Sequence, residues 1–99
     1  MSYVIELLDA VKAAHAMPSY YRLAKVMGIR PNVISEFRSW RRFPDSQAMA
    51  RLSELSGRPL GEVVLAVGVE RILRDEGAPP AFVTLRQQLR AAWVDQAAA

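Results

Sequence analysis

The stretch Ser19–Trp40, SYYRLAKVMGIRPNVISEFRSW, decides how this chain folds. Its apolar residues fall into two helical sets separated by one glycine. Tyr20, Leu23, Ala24 and Met27 stand at i, i+3, i+4 and i+7, the spacing of a helix with one buried face. Ser19 precedes them as an N-cap, its hydroxyl able to accept from a backbone N–H that the first turn leaves unpaired. Gly28 takes the place just past the helix end, where a left-handed backbone is common. Pro31 suits the first turn of the next helix, because its missing N–H is one that turn cannot use. This second helix is expected to run to Ser39 or Trp40.

The two helices must also meet. Ala24 is small enough for a close crossing, Gly28 turns the chain without a Cβ clash, and Ile34 drops into the shared core. At about 100° per residue, Val33, Ile34, Phe37 and Trp40 gather on one side of the second helix. Asn32, Ser35, Glu36 and Ser39 gather on the other. That free face is polar, mostly short-chained and close to the helix N-terminus. These are the requirements for entering the major groove of DNA, as in a helix-turn-helix.

Side-chain chemistry then suggests roles. Asn32 can pair bidentately with adenine, and Arg30 can reach guanine or a phosphate. Ser35 donates or accepts, and Ser39 extends the same face. Glu36 can accept from a cytosine amino group, and it disfavours indiscriminate binding by repelling phosphate. The helix starts at Ser19 and Arg30 offer backbone N–H groups to phosphates. Arg38 at the edge of the polar face, with Arg41 and Arg42 in the following loop, completes the expected phosphate set.

Working outward, Ser2 caps a first helix of about Tyr3 to His15, with Val4, Leu7, Leu8, Val11 and Ala14 as its stripe. Met17-Pro18 ends it. Beyond the basic loop Arg41-Arg42-Phe43-Pro44, Asp45 caps a fourth helix with Ala48, Met49, Leu52 and Leu55 inward, ended by Gly57. Pro59 opens a fifth helix. Its first stripe, Leu60, Val63, Val64 and Val67, fails at Arg71, and a second, Leu65, Val69, Ile72 and Leu73, takes over. Either Gly68 breaks the helix, or one helix is buried on two sides. Gly77-Ala78-Pro79-Pro80 is a hinge, and a last helix of about Ala81 to Gln96 carries Phe82, Leu85, Leu89 and Trp93 on one face. The expected organisation is residues 1–76 as the folded domain, 77–80 as the hinge and 81–99 as a C-terminal helix. The fold class is all-α, with five or six helices.

Composition narrows the function. The 99 residues suffice for one domain, and 52% hydrophobic against 23% charged residues favours a folded chain. There is no cysteine and one histidine, which argues against disulfides and an ordinary zinc site. His15 has no evident nucleophile or acid partner, so catalysis is not expected, nor is any cofactor or metal. The formal charge of +3 is uneven: Tyr20 to Arg58 holds eight basic and three acidic residues, and the remainder five and seven. A basic segment in a nearly neutral chain suits a polyanion. No apolar run approaches the ~20 residues that span a bilayer. The opening MSYVIELLDA carries acids where a secretory signal would carry bases, so a cytoplasmic place is expected.

Ala24, Gly28 and Ile34, with Leu23, Ile29 and Phe37 around them, resemble the helix-turn-helix of the phage repressor and Cro-like family. The likeness runs from Tyr3 to about Val67, through Pro44 and the Ala50-Arg51-Leu52…Leu55…Gly57 segment. Within that family it resembles small proteins encoded by phages and prophages of proteobacteria. The resemblance implies a five-helix repressor-like domain, here with a C-terminal helix added, that regulates transcription by binding a pseudo-palindromic operator as a homodimer. The family's base-reading positions fall on Pro31, Asn32, Ser35 and Glu36, with Arg30 adjacent. Pro31 departs from the polar residue often found there and offers only apolar contact. The stripe Phe82, Leu85, Leu89 and Trp93 has two readings: an extra core helix packed back on the domain or, favoured here, a dimerisation element, with the fifth helix as a second contributor. Two other classes fit the same residues: an antitoxin-like protein that binds a toxin and represses its own promoter, and an adaptor that binds only protein.

Overall fold

The computed structural model describes the backbone of residues 2–98 and the side chains of residues 2–92. Six helices and no strand occur among the described residues: α1 Tyr3–Ala14, α2 Tyr20–Met27, α3 Pro31–Arg38, α4 Ser46–Ser56, α5 Leu60–Asp75 and α6 Pro80–Ala98. The all-α expectation holds.

The local signals act where the residues place them. Ser19 Oγ accepts from the Arg22 N–H and Asp45 Oδ1 from the Ala48 N–H, at 3.2 and 2.9 Å. Gly28 ends α2 with φ +72°, and Gly57 ends α4 with φ +74°. Pro31 opens α3 behind an extended Arg30.

The core draws on α1 to α5. Val4, Leu7, Leu8 and Val11 of α1 meet Leu23 and Ala24 of α2, Ile34 and Phe37 of α3, Leu52 of α4 and Val63, Ala66 and Val67 of α5. α1 touches α2, α3, α4 and α5, so it runs through the middle of the bundle. Met27, Val33, Trp40, Met49 and Leu55 pack around this centre half-buried. Ala14, expected on the α1 stripe, is exposed in the last turn.

Several helix boundaries differ from expectation, α6 among them, which runs on to Ala98. α1 stops at Ala14, because His15 serves as its C-cap and donates from Nε2 to the Leu55 carbonyl of α4 at 2.7 Å. α3 stops at Arg38. Ser39 is its C-cap, and Trp40 turns left-handed with φ +62°. α6 begins at Pro80, one residue early, since proline is well placed at a helix start. The hinge is therefore a turn through Gly77 and Ala78, both at positive φ.

α5 resolves the open question at Gly68: the helix continues through it. Neither expected stripe is the buried one. Val63, Ala66, Val67, Val69, Glu70 and Leu73 face inward, whereas Leu60, Val64 and Leu65 are 47%, 47% and 48% exposed. The period was hidden because the position that continues Val63, Ala66 and Val67 is a glutamate. α6 packs back on α5. Leu89 joins the rim of the core, Phe82 and Leu85 are half-buried, and Arg90 pairs with Glu6 of α1 at 2.7 Å. The Trp93 side chain lies outside the described residues.

Candidate nucleic-acid interface

The polar side of α3 is left uncovered by the bundle. Leu23 and Ala24 bury one side of α2, and Ile34 and Phe37 bury the facing side of α3. What remains outward is Arg30, Pro31, Asn32 and Ser35, all exposed. The N-terminus of α3 carries no side-chain cap hydrogen bond; Pro31 has no N–H to offer, and the Val33 N–H donates to the Arg30 carbonyl at 3.0 Å. Ser19 marks the corresponding start of α2, with its hydroxyl oxygen already accepting from Arg22.

Glu36 behaves differently from its neighbours. Its carboxylate takes Arg42 Nε at 2.7 Å. Its carbonyl accepts from the backbone N–H of Arg41 and Arg42, at 3.0 and 3.3 Å, and from Ser39 Oγ at 3.3 Å. Residues expected to read bases (Glu36, Ser39) and to grip phosphate (Arg42) thus hold one another at the end of α3. The pair neutralises the one acid on the outward side of α3, and Ser39 uses its hydroxyl to close the helix. This exposed pair is worth little stability by itself. Its consequence is electrostatic: Arg30 and Arg41 beside Asn32 and Ser35 set the sign of the surface.

Arg38 turns aside. Its guanidinium lies 4.1 Å from the centre of the Tyr20 ring, and Lys12 Nζ lies 3.9 Å from the same ring. Such contacts are attractive because the ring face is negative. The Tyr20 hydroxyl donates to Asp9, and burial followed by that hydrogen bond raises its pKa above the ordinary tyrosine value. Arg38 is therefore at the edge of the face, committed to α2 and α1.

The loop after α3 is anchored by apolar contacts. Phe43 and Pro44 are buried, and the Phe43 ring receives the guanidinium of Arg74 at 4.6 Å and that of Arg71 at 5.8 Å. Arg41 and Arg42 project from this fixed base and are exposed.

Comparison with protein-family models, with curated proteins and with solved structures gives no match. Among the described residues, no three His, Cys, Asp or Glu side chains cluster as a metal site would require, and no helix is long and apolar enough to cross a membrane. The cleft between α1, α5 and α6, lined by Tyr3, Glu70, Arg86 and Leu89 among others, holds about 10 Å³. That is room for no more than a water.

One group escaped sequence reasoning. Glu70 is 1% exposed and closes the start of α1. Its carboxylate accepts from Ser2 Oγ at 2.8 Å, from the Tyr3 N–H at 2.7 Å and from the Val4 N–H at 3.4 Å. Arg86 Nε of α6 stands 3.8 Å away. A carboxylate at a helix N-terminus is favoured by the N–H groups and the dipole there. The available signal was a lone acid inside the apolar run VVLAVGVERIL, since glutamate is almost never fully buried without partners. Ser2, expected as the α1 cap, is one, accepting from Val4 and Ile5.

Proposed function

We propose that this protein is a sequence-specific double-stranded-DNA-binding regulator of transcription, built on a helix-turn-helix of α2 and α3. The observation that carries the reading is the exposed polar face of α3, Arg30 to Ser35, flanked by the exposed Arg41 and Arg42 on an anchored loop. α3 inserts into the major groove. Asn32, Ser35 and Arg30 meet base edges, Pro31 offers apolar contact, and Glu36 and Ser39 act through the Arg42 pairing as a brace. Arg41 and the start of α2 at Ser19 hold phosphates, while Arg42 is held by Glu36.

An eight-residue reading helix touches few bases, so the working form is a homodimer on a pseudo-palindromic operator with half-sites about 34 Å apart. The half-exposed Leu60, Val64 and Leu65 favour α5 as part of the dimer surface, alongside α6. A regulator of phage or prophage origin fits the family resemblance of Ala24, Gly28 and Ile34.

The test is a binding titration against DNA from upstream of the protein's own gene and against random DNA, each at two salt concentrations. Tighter, salt-dependent binding to the upstream DNA is expected. Equal affinity for both reduces the protein to a non-specific binder. Absence of salt-dependent binding to either leaves the adaptor reading in its place. A toxin encoded next door and co-purifying with the protein would select the antitoxin reading.

A further inference from the structure

Trp40 closes α3 in a backbone conformation that glycine ordinarily supplies, φ +62°, and four contacts keep it there. Its Nε1–H donates to Ser2 Oγ at 3.1 Å. Its carbonyl accepts from Arg74 Nη1 at 2.9 Å. Its ring centre lies 6.1 Å from that of Phe43, and the Arg86 guanidinium sits 5.7 Å over it. The reading helix is thereby tied at its far end to α1, α5 and α6 at once.

The first tie depends on Glu70. The Ser2 hydroxyl has one proton, and it goes to Glu70 Oε1. Its lone pairs are then turned toward the N–H groups of Trp40, Val4 and Ile5. Glu70 accepts from Ser2, Tyr3 and Val4, and the Arg86 guanidinium lies 3.8 Å away as an ion-pair partner. It therefore fixes the direction of the Ser2 bond, and with it the acceptor that Trp40 uses. Helix α3 has eight residues and is about 12 Å long. A small tilt at Trp40 swings Asn32 at the opposite end.

We propose that Glu70, acting through Ser2 and Trp40, is the positioning residue that sets the angle at which α3 presents Asn32 and Ser35 to the bases, and that Arg86 links this angle to the C-terminal helix. The inference rests on the DNA-reading function proposed above. Bidentate base contacts need an accurate approach, whereas Arg30 and Arg41 are long and reach phosphates from several angles. Loosening Trp40 therefore costs discrimination between sequences and leaves the phosphate contacts in place.

The test compares the full-length protein with Trp40→Phe, which keeps an aromatic ring and removes the Nε1 donor, and with Ser2→Gly, which removes the acceptor at a position where glycine is a tolerated cap. The wild type first selects a preferred duplex from a random pool. Affinities for that duplex and for random DNA are then measured at several salt concentrations, with folding checked by circular dichroism. The expected result is a folded variant whose preference falls about tenfold, the size of one weakened base contact, with an unchanged salt slope. A folded variant that keeps its preference overturns the proposal. So does a salt slope that falls along with the preference, which would make the effect one of phosphate contact. Unfolding of both variants also overturns it and leaves the network a stability element. If the wild type selects no sequence, the base-reading function itself fails first.

Discussion

Asn32 and Arg41 stand on opposite parts of the proposed interface, and their loss should be felt in different ways. Asn32 is exposed in the first turn of α3, where a side-chain amide can satisfy both hydrogen-bonding atoms of one adenine. Asn32→Ala should cost about 1–3 kcal/mol at a single base position and leave the others untouched. Arg41 projects from the loop after α3. Arg41→Ala should weaken binding to all sequences alike and reduce the slope of log K against log salt by about 1. Parallel titrations with single-base operator variants and with random DNA separate the two. If Asn32→Ala leaves the preference at every position unchanged, Asn32 is no reader. Tyr3 carries another residue-scale expectation. Burial, then the Glu62 carboxylate, raises its pKa well above the ordinary value, against an opposing effect of Arg58. The fold thus favours the neutral phenol. Its contribution is complete below tyrosine's ordinary pKa of ~10 and is lost as pH rises beyond it. Denaturation midpoints should fall above pH 10 in the wild type and fall less in Tyr3→Phe.

At the scale of an element, two glycines with equally open surroundings should respond to alanine in opposite senses. A Cβ at Gly28 or at Gly68 would meet nothing within 4 Å, so sterics with neighbours do not decide either case. Gly28 has φ +72°, and a left-handed alanine costs about 1–2 kcal/mol. Gly68 lies inside the continuous α5, where alanine is better than glycine by about 0.5–1 kcal/mol. Gly28→Ala should lower the thermal midpoint by several degrees and Gly68→Ala should raise it, since 1 kcal/mol moves a domain of this size by about 4–8 °C. A rise in both would mean that the turn after α2 is not held left-handed in solution. The same helix shows how one polar letter can hide a period. Val63, Ala66, Val67 and Leu73 share a face with Glu70, and a reading by hydropathy stops at the acid.

For the whole molecule the decisive quantity is the number of chains. The α6 stripe is partly used on its own chain, with Leu89 against the core. The outward side of α5 retains Leu60, Val64 and Leu65, more apolar than a solvated helix face usually is. Sedimentation at micromolar concentration should give twice the 11.0 kDa chain mass. Leu65→Asp, at a half-exposed site where the monomer can accept a charge, should shift it to one chain and weaken operator binding. A wild type that sediments as one chain, or a Leu65→Asp that remains a dimer, would remove α5 from the interface.

The residues by themselves determined the helices and their caps. Ser2, Ser19, Asp45, Gly28, Gly57 and Pro31 act within a turn of where they stand, so their effects are local and readable. The apolar stripes of α1, α2, α3 and α4 obey the helical period and identify the faces that bury. The outward polar residues of α3 were legible for the same reason. Only the tertiary structure decided what joins residues far apart in the chain. Ser2 meets Glu70 across 68 positions and Trp40 across 38, and no local pattern encodes such distances. It also decided that Arg42 turns onto Glu36, because a long flexible side chain takes its partner from the packing around it. Propensity and periodicity act within a few residues and build each helix. The angle between helices is set by groups that become neighbours only once the core has closed.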